Sequence, residues 1–316
     1  MRKALLIGID VYSNFSKLAG CVADAKRMCQ MLETHEDGTR NYDCQLFTGS
    51  RQRPIDRDFL RQKWGLLFED FKDEILFYYS GHGAQTNTGT QIATRDGTGT
   101  NPGLAMDDLL TLAYQSRARE VVLILDCCYA GGMGDPAILG GNAFLREGVT
   151  ILAASSSMGV AKEVAGHGVF TDLVLNALNG AAADVRGNVS AAAIYGFVEQ
   201  ALGGWDQRPI YKSYASQASP IRRCKPHVSI EILRELLTLF KKPDSIHRMN
   251  PSYEYTHKSA RKERVEIYNK FKILRDARLL RTSDGDDLYF NAINSGSVVL
   301  TPLGQFYWNL SKKKRI

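Results

Sequence analysis

Six short apolar runs, each stopping near a small, acidic or turn-forming residue, constrain this chain more than any other feature. Lys3–Ile9, Cys44–Thr48, Glu74–Ser80 and Glu120–Asp126 are rich in Val, Ile, Leu, Phe and Tyr, and almost every position is apolar. Strands with one wet face alternate; strands covered on both faces of a parallel sheet do not. Val149–Ala154 continues the series. Pro209–Tyr214 closes it, and its proline places it at a strand start or a sheet edge. Stretches with helical spacing lie between the runs. Val22–Leu32 aligns Ala25, Met28 and Leu32, and Arg57–Phe68 aligns Leu60, Trp64 and Leu67. Asp107–Tyr114, Phe170–Leu178 and Ser190–Leu202 follow. Strand–helix alternation with short connections predicts an α/β fold, a doubly wound sheet with right-handed crossovers.

The 316 residues are 44% hydrophobic and 23% charged, which excludes collagen-like, low-complexity and wholly disordered chains. No apolar run approaches the roughly 20 residues that span a bilayer. The run after Met1-Arg2-Lys3 ends at Asp10, too soon for a secretory leader. Six cysteines, two of them adjacent, do not make a disulfide scaffold. A soluble cytoplasmic protein without a membrane partner is expected.

Charge is divided unevenly. Residues 1–224 hold 22 Lys and Arg against 24 Asp and Glu; residues 225–316 hold 18 against 10. Residues 216–227 read as a linker between a domain at 1–215 and a basic one at 228–316. The second domain is expected to run helix (Ser229–Phe240), long basic helix (Ser259–Leu280), turn (Asp284–Asp287), strand (Leu288–Ile293), strand (Ser297–Leu300) and final helix from Thr301. That order is winged-helix-like. A basic domain of this kind is expected to dock a protein partner or bind nucleic acid.

Two strand ends carry chemistry. Tyr79-Ser80-Gly81-His82-Gly83 ends one buried strand in a histidine between glycines. Asp126-Cys127-Cys128-Tyr129-Ala130-Gly131 ends another in an acid and two thiols. Ligands of open α/β sheets bind outside the carboxyl ends of strands, so both motifs should face one crevice. A thiol with a pKa of about 8.5 needs a nearby imidazole to become a nucleophile at neutral pH. The amides of Gly83 and of the attacking cysteine could hold an oxyanion. Spacing does not choose between Cys127 and Cys128. A zinc site lacks the usual Cys-x2-Cys pair, and no organic cofactor is implied.

The two motifs resemble those of caspase-like cysteine peptidases, above all the metacaspases and their bacterial relatives. The 46-residue separation of His82 from Cys128 agrees with the roughly 50 residues known for caspases. Gly8-Ile9-Asp10-Val11-Tyr12 and Gly20-Cys21-Val22-Ala23-Asp24 extend the likeness, which covers about residues 1–215. It implies a mostly parallel six-stranded sheet with helices on both faces. It also implies His82 as general base, Cys128 as nucleophile, and a first specificity pocket lined by Cys21, Asp24, Ser80 and Asp126. Two carboxylates there favour a protein substrate cut after Arg or Lys. Where many metacaspases carry an acidic pair for Ca2+, this chain has Asp107-Asp108, with Asp96 as a further oxygen donor. Self-cleavage is expected at Arg146, in the segment after the nucleophile, or at Arg223. The position after the nucleophile, often His in metacaspases, is Tyr129. Prokaryotic relatives of this kind imply a role in cell death or antiviral defence.

Overall fold

The computed structural model describes residues 2–50, 52–69, 73–87, 89–130, 133, 145–154, 163–164, 167–202, 208–215, 219–285 and 287–316. Gly131, Asp286, most of the segment Tyr129–Gly148 and residues 216–218 of the expected linker lie outside them.

The chain divides into two units. Met1–Ala183 with Asn188–Cys224 form the first, and Asp184–Gly187 with Lys225–Ile316 the second. In the first, β1 (Arg2–Ile9), α1 (Cys21–Glu33), β2 (Asp43–Gly49), α2 (Arg57–Phe68) and β3 (Glu74–Ser80) alternate as expected. Three short strands follow, β4 (Gly83–Thr86), β5 (Gly89–Ala93) and β6 (Gly103–Ala105), then α3 (Met106–Gln115), β7 (Glu120–Asp126) and β8 (Val149–Ala153). The unit closes with β9 (Glu163–Val164), β10 (His167–Gly168), α4 (Val169–Asn176), β11 (Asn188–Val189), α5 (Ala191–Ala201), β12 (Ile210–Tyr214) and β13 (Arg222–Arg223).

The main sheet has the order β12-β8-β7-β3-β1-β2. Five of its strands are parallel; β12 runs antiparallel to β8 at the edge, where Pro209 costs no ladder bond. Alternate residues of each central strand feed two cores. Leu5, Ile7, Phe77 and Leu123 pack with Leu60, Trp64 and Leu109 of α2 and α3. Leu6, Leu76, Tyr78 and Ile124 pack with Met28, Phe170, Val174 and Ile194 of α1, α4 and α5. Burial on both faces is the physical reason that the runs are apolar throughout.

The expected linker is structured at its end. Arg222 and Arg223 pair with Asn188 and Val189, and Ile221 is buried, so the first unit extends to Cys224 rather than stopping at 215.

The second unit contains α6 (Ile230–Leu239), β14 (Ile246–Arg248), α7 (Lys262–Asp276), β15 (Leu280–Thr282), α8 (Leu288–Ile293), β16 (Ser297–Leu300) and α9 (Pro302–Lys312). Its antiparallel sheet runs β14-β16-β15 over a core that includes Leu233, Phe240, Phe271, Leu274, Leu288 and Trp308. The strand expected at Leu288–Ile293 is a helix. The Asp287 carboxylate accepts the N–H of Tyr289, and Leu288 and Ala292, one turn apart, are buried. The partner of β16 is therefore β15 on one side and β14 on the other.

Candidate active site

β3 and β7 are neighbours in exact parallel register, with Ser80 opposite Asp126. The residues immediately past the two strand ends are therefore neighbours. The Gly81 N–H donates to the Asp126 carbonyl at 3.3 Å. Gly83 lies so close to Cys128 that a Cβ at position 83 would overlap the Cys128 carbonyl oxygen. This close approach is a physical reason for glycine there.

The two thiols have different surroundings. Cys127 is 1% exposed, and burial pushes its thiol well above the ordinary value, helped by the Asp126 charge. Cys128 is half-buried. A buried thiol disfavoured as a thiolate acts as a packing group. Tyr129 has φ +61°, a left-handed turn that is strained for a residue with a side chain.

His82 is half-buried and held from several sides. Its Nε2 lies 2.8 Å from the Ser16 carbonyl oxygen. A carbonyl only accepts, so Nε2 carries a proton, and in the neutral ring Nδ1 is left as the acceptor. The rings of Tyr12 and Phe15 flank the imidazole, with centroids 4.8 and 5.9 Å away. The backbone N–H of His82 donates to Tyr12 Oη at 2.8 Å. Gly83 pairs with Ile92 next to an Ala93 N–H bond to the His82 carbonyl. That makes Gly83 a non-hydrogen-bonded ladder position, so its N–H points away from β5.

Asp24 and Asp126 are both buried and converge on Gly168, where a Cβ would overlap an Asp126 oxygen. The Gly168 N–H donates to Asp24 Oδ2 at 2.9 Å, and the Thr171 hydroxyl donates to Asp126 Oδ2 at 2.6 Å. Arg27 reaches Asp24 at 3.5 Å and Asp172 at 2.6 Å. Cys21 and Ser80 are buried at the same strand and helix ends. Asp10, at the end of β1, accepts the N–H groups of Cys21 and Val22 and so seats the helix that carries Cys21 and Asp24.

The acids expected for Ca2+ do not assemble. Asp107 and Asp108 lie exposed in the first turn of α3. Asp96 Oδ1 accepts the Arg57 N–H at 3.0 Å and the Thr94 hydroxyl at 2.6 Å. Among the described residues no three His, Cys, Asp or Glu side chains stand together as metal ligands.

Arg146 is tied down. Its guanidinium donates to the carbonyls of Ala113 at 3.0 and 3.1 Å, Ala118 at 3.0 Å and Glu147 at 2.8 Å, closing the end of α3. Arg223 is exposed in β13, its N–H donating to His35 Nδ1 at 3.1 Å.

Sequence reasoning missed Ser16 and Gly168. Both act through backbone groups, which leave no side-chain signal. Tyr12 and Tyr79 fall within motifs, but nothing in the sequence assigns them a role.

A family model described as a caspase domain matches residues 1–222. Metacaspase-1 of Botryotinia fuckeliana is 38% identical over 91 residues, which is 27% of this chain and 21% of that protein. Metacaspase-1A of Aspergillus terreus is 37% identical over 90 residues, 27% of this chain and 22% of that protein. The matched stretch thus spans about a fifth of these relatives' length. A crystal structure of a Geobacter sulfurreducens protein is similar in fold, with TM-score 0.53 and 15% identity, covering 71% of this chain and 99% of that one.

Proposed function

The chain belongs to the caspase-domain family, and from that premise we propose that it is a cysteine endopeptidase cutting after Arg or Lys. The observation that supports the reading is the parallel register at the junction of β3 with β7, with Gly83 of the histidine motif lying against the Cys128 carbonyl and the Nε2 proton of His82 engaged by Ser16. His82 Nδ1 takes the Cys128 proton. The thiolate attacks the scissile carbonyl carbon, and the N–H groups of Gly83 and Cys128 hold the resulting oxyanion. As the C–N bond breaks, the imidazolium returns its proton to the leaving amine. Water, activated by the same ring, then hydrolyses the thioester.

Two buried carboxylates converging beside this junction support a basic residue at the cut position. The test is a panel of fluorogenic peptides ending in Arg, Lys or Asp. Cys128→Ala should lower kcat/KM for the basic peptides at least about 10³-fold, while Cys127→Ala retains turnover. Turnover that survives Cys128→Ala, or that is confined to Asp peptides, overturns the reading.

Self-cleavage belongs to the same proposal, with Arg146 and Arg223 as the candidate sites and defence or cell death as the setting. In a second reading the C-terminal unit docks a protein partner that gates the peptidase. Tyr289, Phe290 and Phe306, exposed by 41%, 58% and 54%, favour it.

No helix among the described residues is long and apolar enough to cross a membrane.

A further inference from the structure

We propose that Tyr12 and Tyr79 are positioning residues for His82, their hydroxyls spliced into a backbone ladder that fixes the histidine between two glycines. The inference rests on His82 acting as the base of the proposed peptidase.

The splice is visible in the β4–β5 pairing. The Ala93 N–H donates to the His82 carbonyl at 2.9 Å. An antiparallel pair of this kind is completed by the reciprocal bond, from the His82 N–H to the Ala93 carbonyl. Here the two groups are joined through the tyrosines instead. The His82 N–H donates to Tyr12 Oη at 2.8 Å, the two hydroxyl oxygens are 3.2 Å apart, and Tyr79 Oη lies 2.9 Å from the Ala93 carbonyl oxygen. It is also 2.9 Å from the carbonyl of His82 itself.

The direction of the chain follows from the donor count. Tyr12 accepts from the backbone, so its own proton turns to Tyr79, whose proton then reaches a carbonyl. Burial raises both phenols far above their ordinary range, so neither ionises near neutral pH.

The splice also answers a difficulty the motif creates. Gly83 must be glycine to lie against Cys128, and a Cβ at Gly81 would overlap both tyrosine hydroxyls. A histidine flanked by two glycines has a loose backbone. The hydroxyl chain holds that backbone at both its N–H and its C=O. The Tyr12 ring, 4.8 Å from the imidazole, limits ring tilt as well. Linked hydrogen bonds in a buried site stiffen one another.

The test uses the full chain carrying Tyr12→Phe or Tyr79→Phe. Tyr42→Phe is the control, a buried tyrosine whose hydroxyl accepts from Arg2 at 2.7 Å. Melting temperature is measured for all three. Two readouts follow: kcat and KM on a basic peptide, and the pH dependence of Cys128 alkylation by iodoacetamide, followed by peptide mass spectrometry. Each active-site tyrosine variant should lose about 10- to 100-fold in kcat, as a misplaced catalytic group does, with KM little changed. The part of Cys128 alkylation that depends on His82 should fall with it. Tyr42→Phe should keep the wild-type profile at a comparable loss of melting temperature. Tyrosine variants with wild-type kcat and profile overturn the inference, as does an equal loss in Tyr42→Phe. A low-pH limb that His82→Ala abolishes and the tyrosine variants preserve overturns positioning alone. A wild-type profile already like an isolated thiol, and unchanged by His82→Ala, sinks the peptidase reading and this inference together.

Discussion

Among single residues, burial decides between chemically identical neighbours. Cys127 and Cys128 are adjacent, and spacing alone could not separate them. The alternation of β7 continues one residue past its end and takes Cys127 into the core, while Cys128, just before the left-handed turn at Tyr129, stays half-buried. The same logic makes Glu120 a liability. It is 8% exposed, and burial together with the Glu74 charge raises its carboxyl above the ordinary value. A carboxyl raised in the folded state contributes stability below its unfolded value, about 4.3, and loses it as pH rises through the folded value. Glu120→Gln stays neutral throughout. It should melt a few degrees above wild type at pH 7.5 and show no gain at pH 4, by calorimetry at both pH values. A gain that is equal at both would assign the effect to packing instead.

For the elements, legibility followed the strength of the period. The central strands β1, β3, β7 and β8 and the helices between the strands were readable because they bury long faces, while the edge strands β2 and β12, mostly half-buried, were read from their apolar content. The three strands β4, β5 and β6 were not, since their Gly- and Thr-rich runs bury little beyond Ile92, Ala93 and Leu104. α8 was misread because Leu-Tyr-Phe favours strands on composition, while the deciding signal was the Asp287 cap before a pair one turn apart. α7 ends at Asp276, short of the expected Leu280, because Arg278 takes a left-handed turn with φ +60° and the Leu279 N–H closes onto the Leu274 carbonyl. Glycine usually marks such a stop, and arginine gives no warning.

Arg146 carries a further element-level consequence. Its guanidinium closes α3 and must leave the Ala113 and Ala118 carbonyls before it can fill a specificity pocket. Arg146→Ala should destabilise the chain by about 1–3 kcal/mol, the scale for leaving buried hydrogen-bonding groups unmet. Cleavage at Arg146 should then require conditions that loosen the end of α3. Intact masses of wild type and Cys128→Ala, taken before and after mild heating, check this. Rapid cutting at Arg146 in the cold would show that the cap is weak.

Across the whole molecule, the charge division follows the structural one. The caspase-domain match lies in the near-neutral first unit, which ends at Cys224, and the excess of Lys and Arg begins at Lys225. Net charge by itself would make the second unit a nucleic-acid binder, but its cations are partly engaged. Arg264 bonds Asn250 and Ser252 and lies over the Tyr253 ring. Lys270 pairs with Glu235, and Arg275 with Asp276 and Asp287. Lys272 sits 4.6 Å over the Tyr268 ring. Proteins that neutralise 6–10 phosphates lose about 10³- to 10⁵-fold in affinity between 50 and 200 mM salt. With so many side chains of α7 held by neighbours, the full chain should lose no more than about tenfold over that range. Fluorescence anisotropy with a labelled duplex measures it. A loss near 10³-fold would make nucleic acid the partner of the basic unit; a shallow slope leaves its exposed aromatic residues as the surface to be read by a protein.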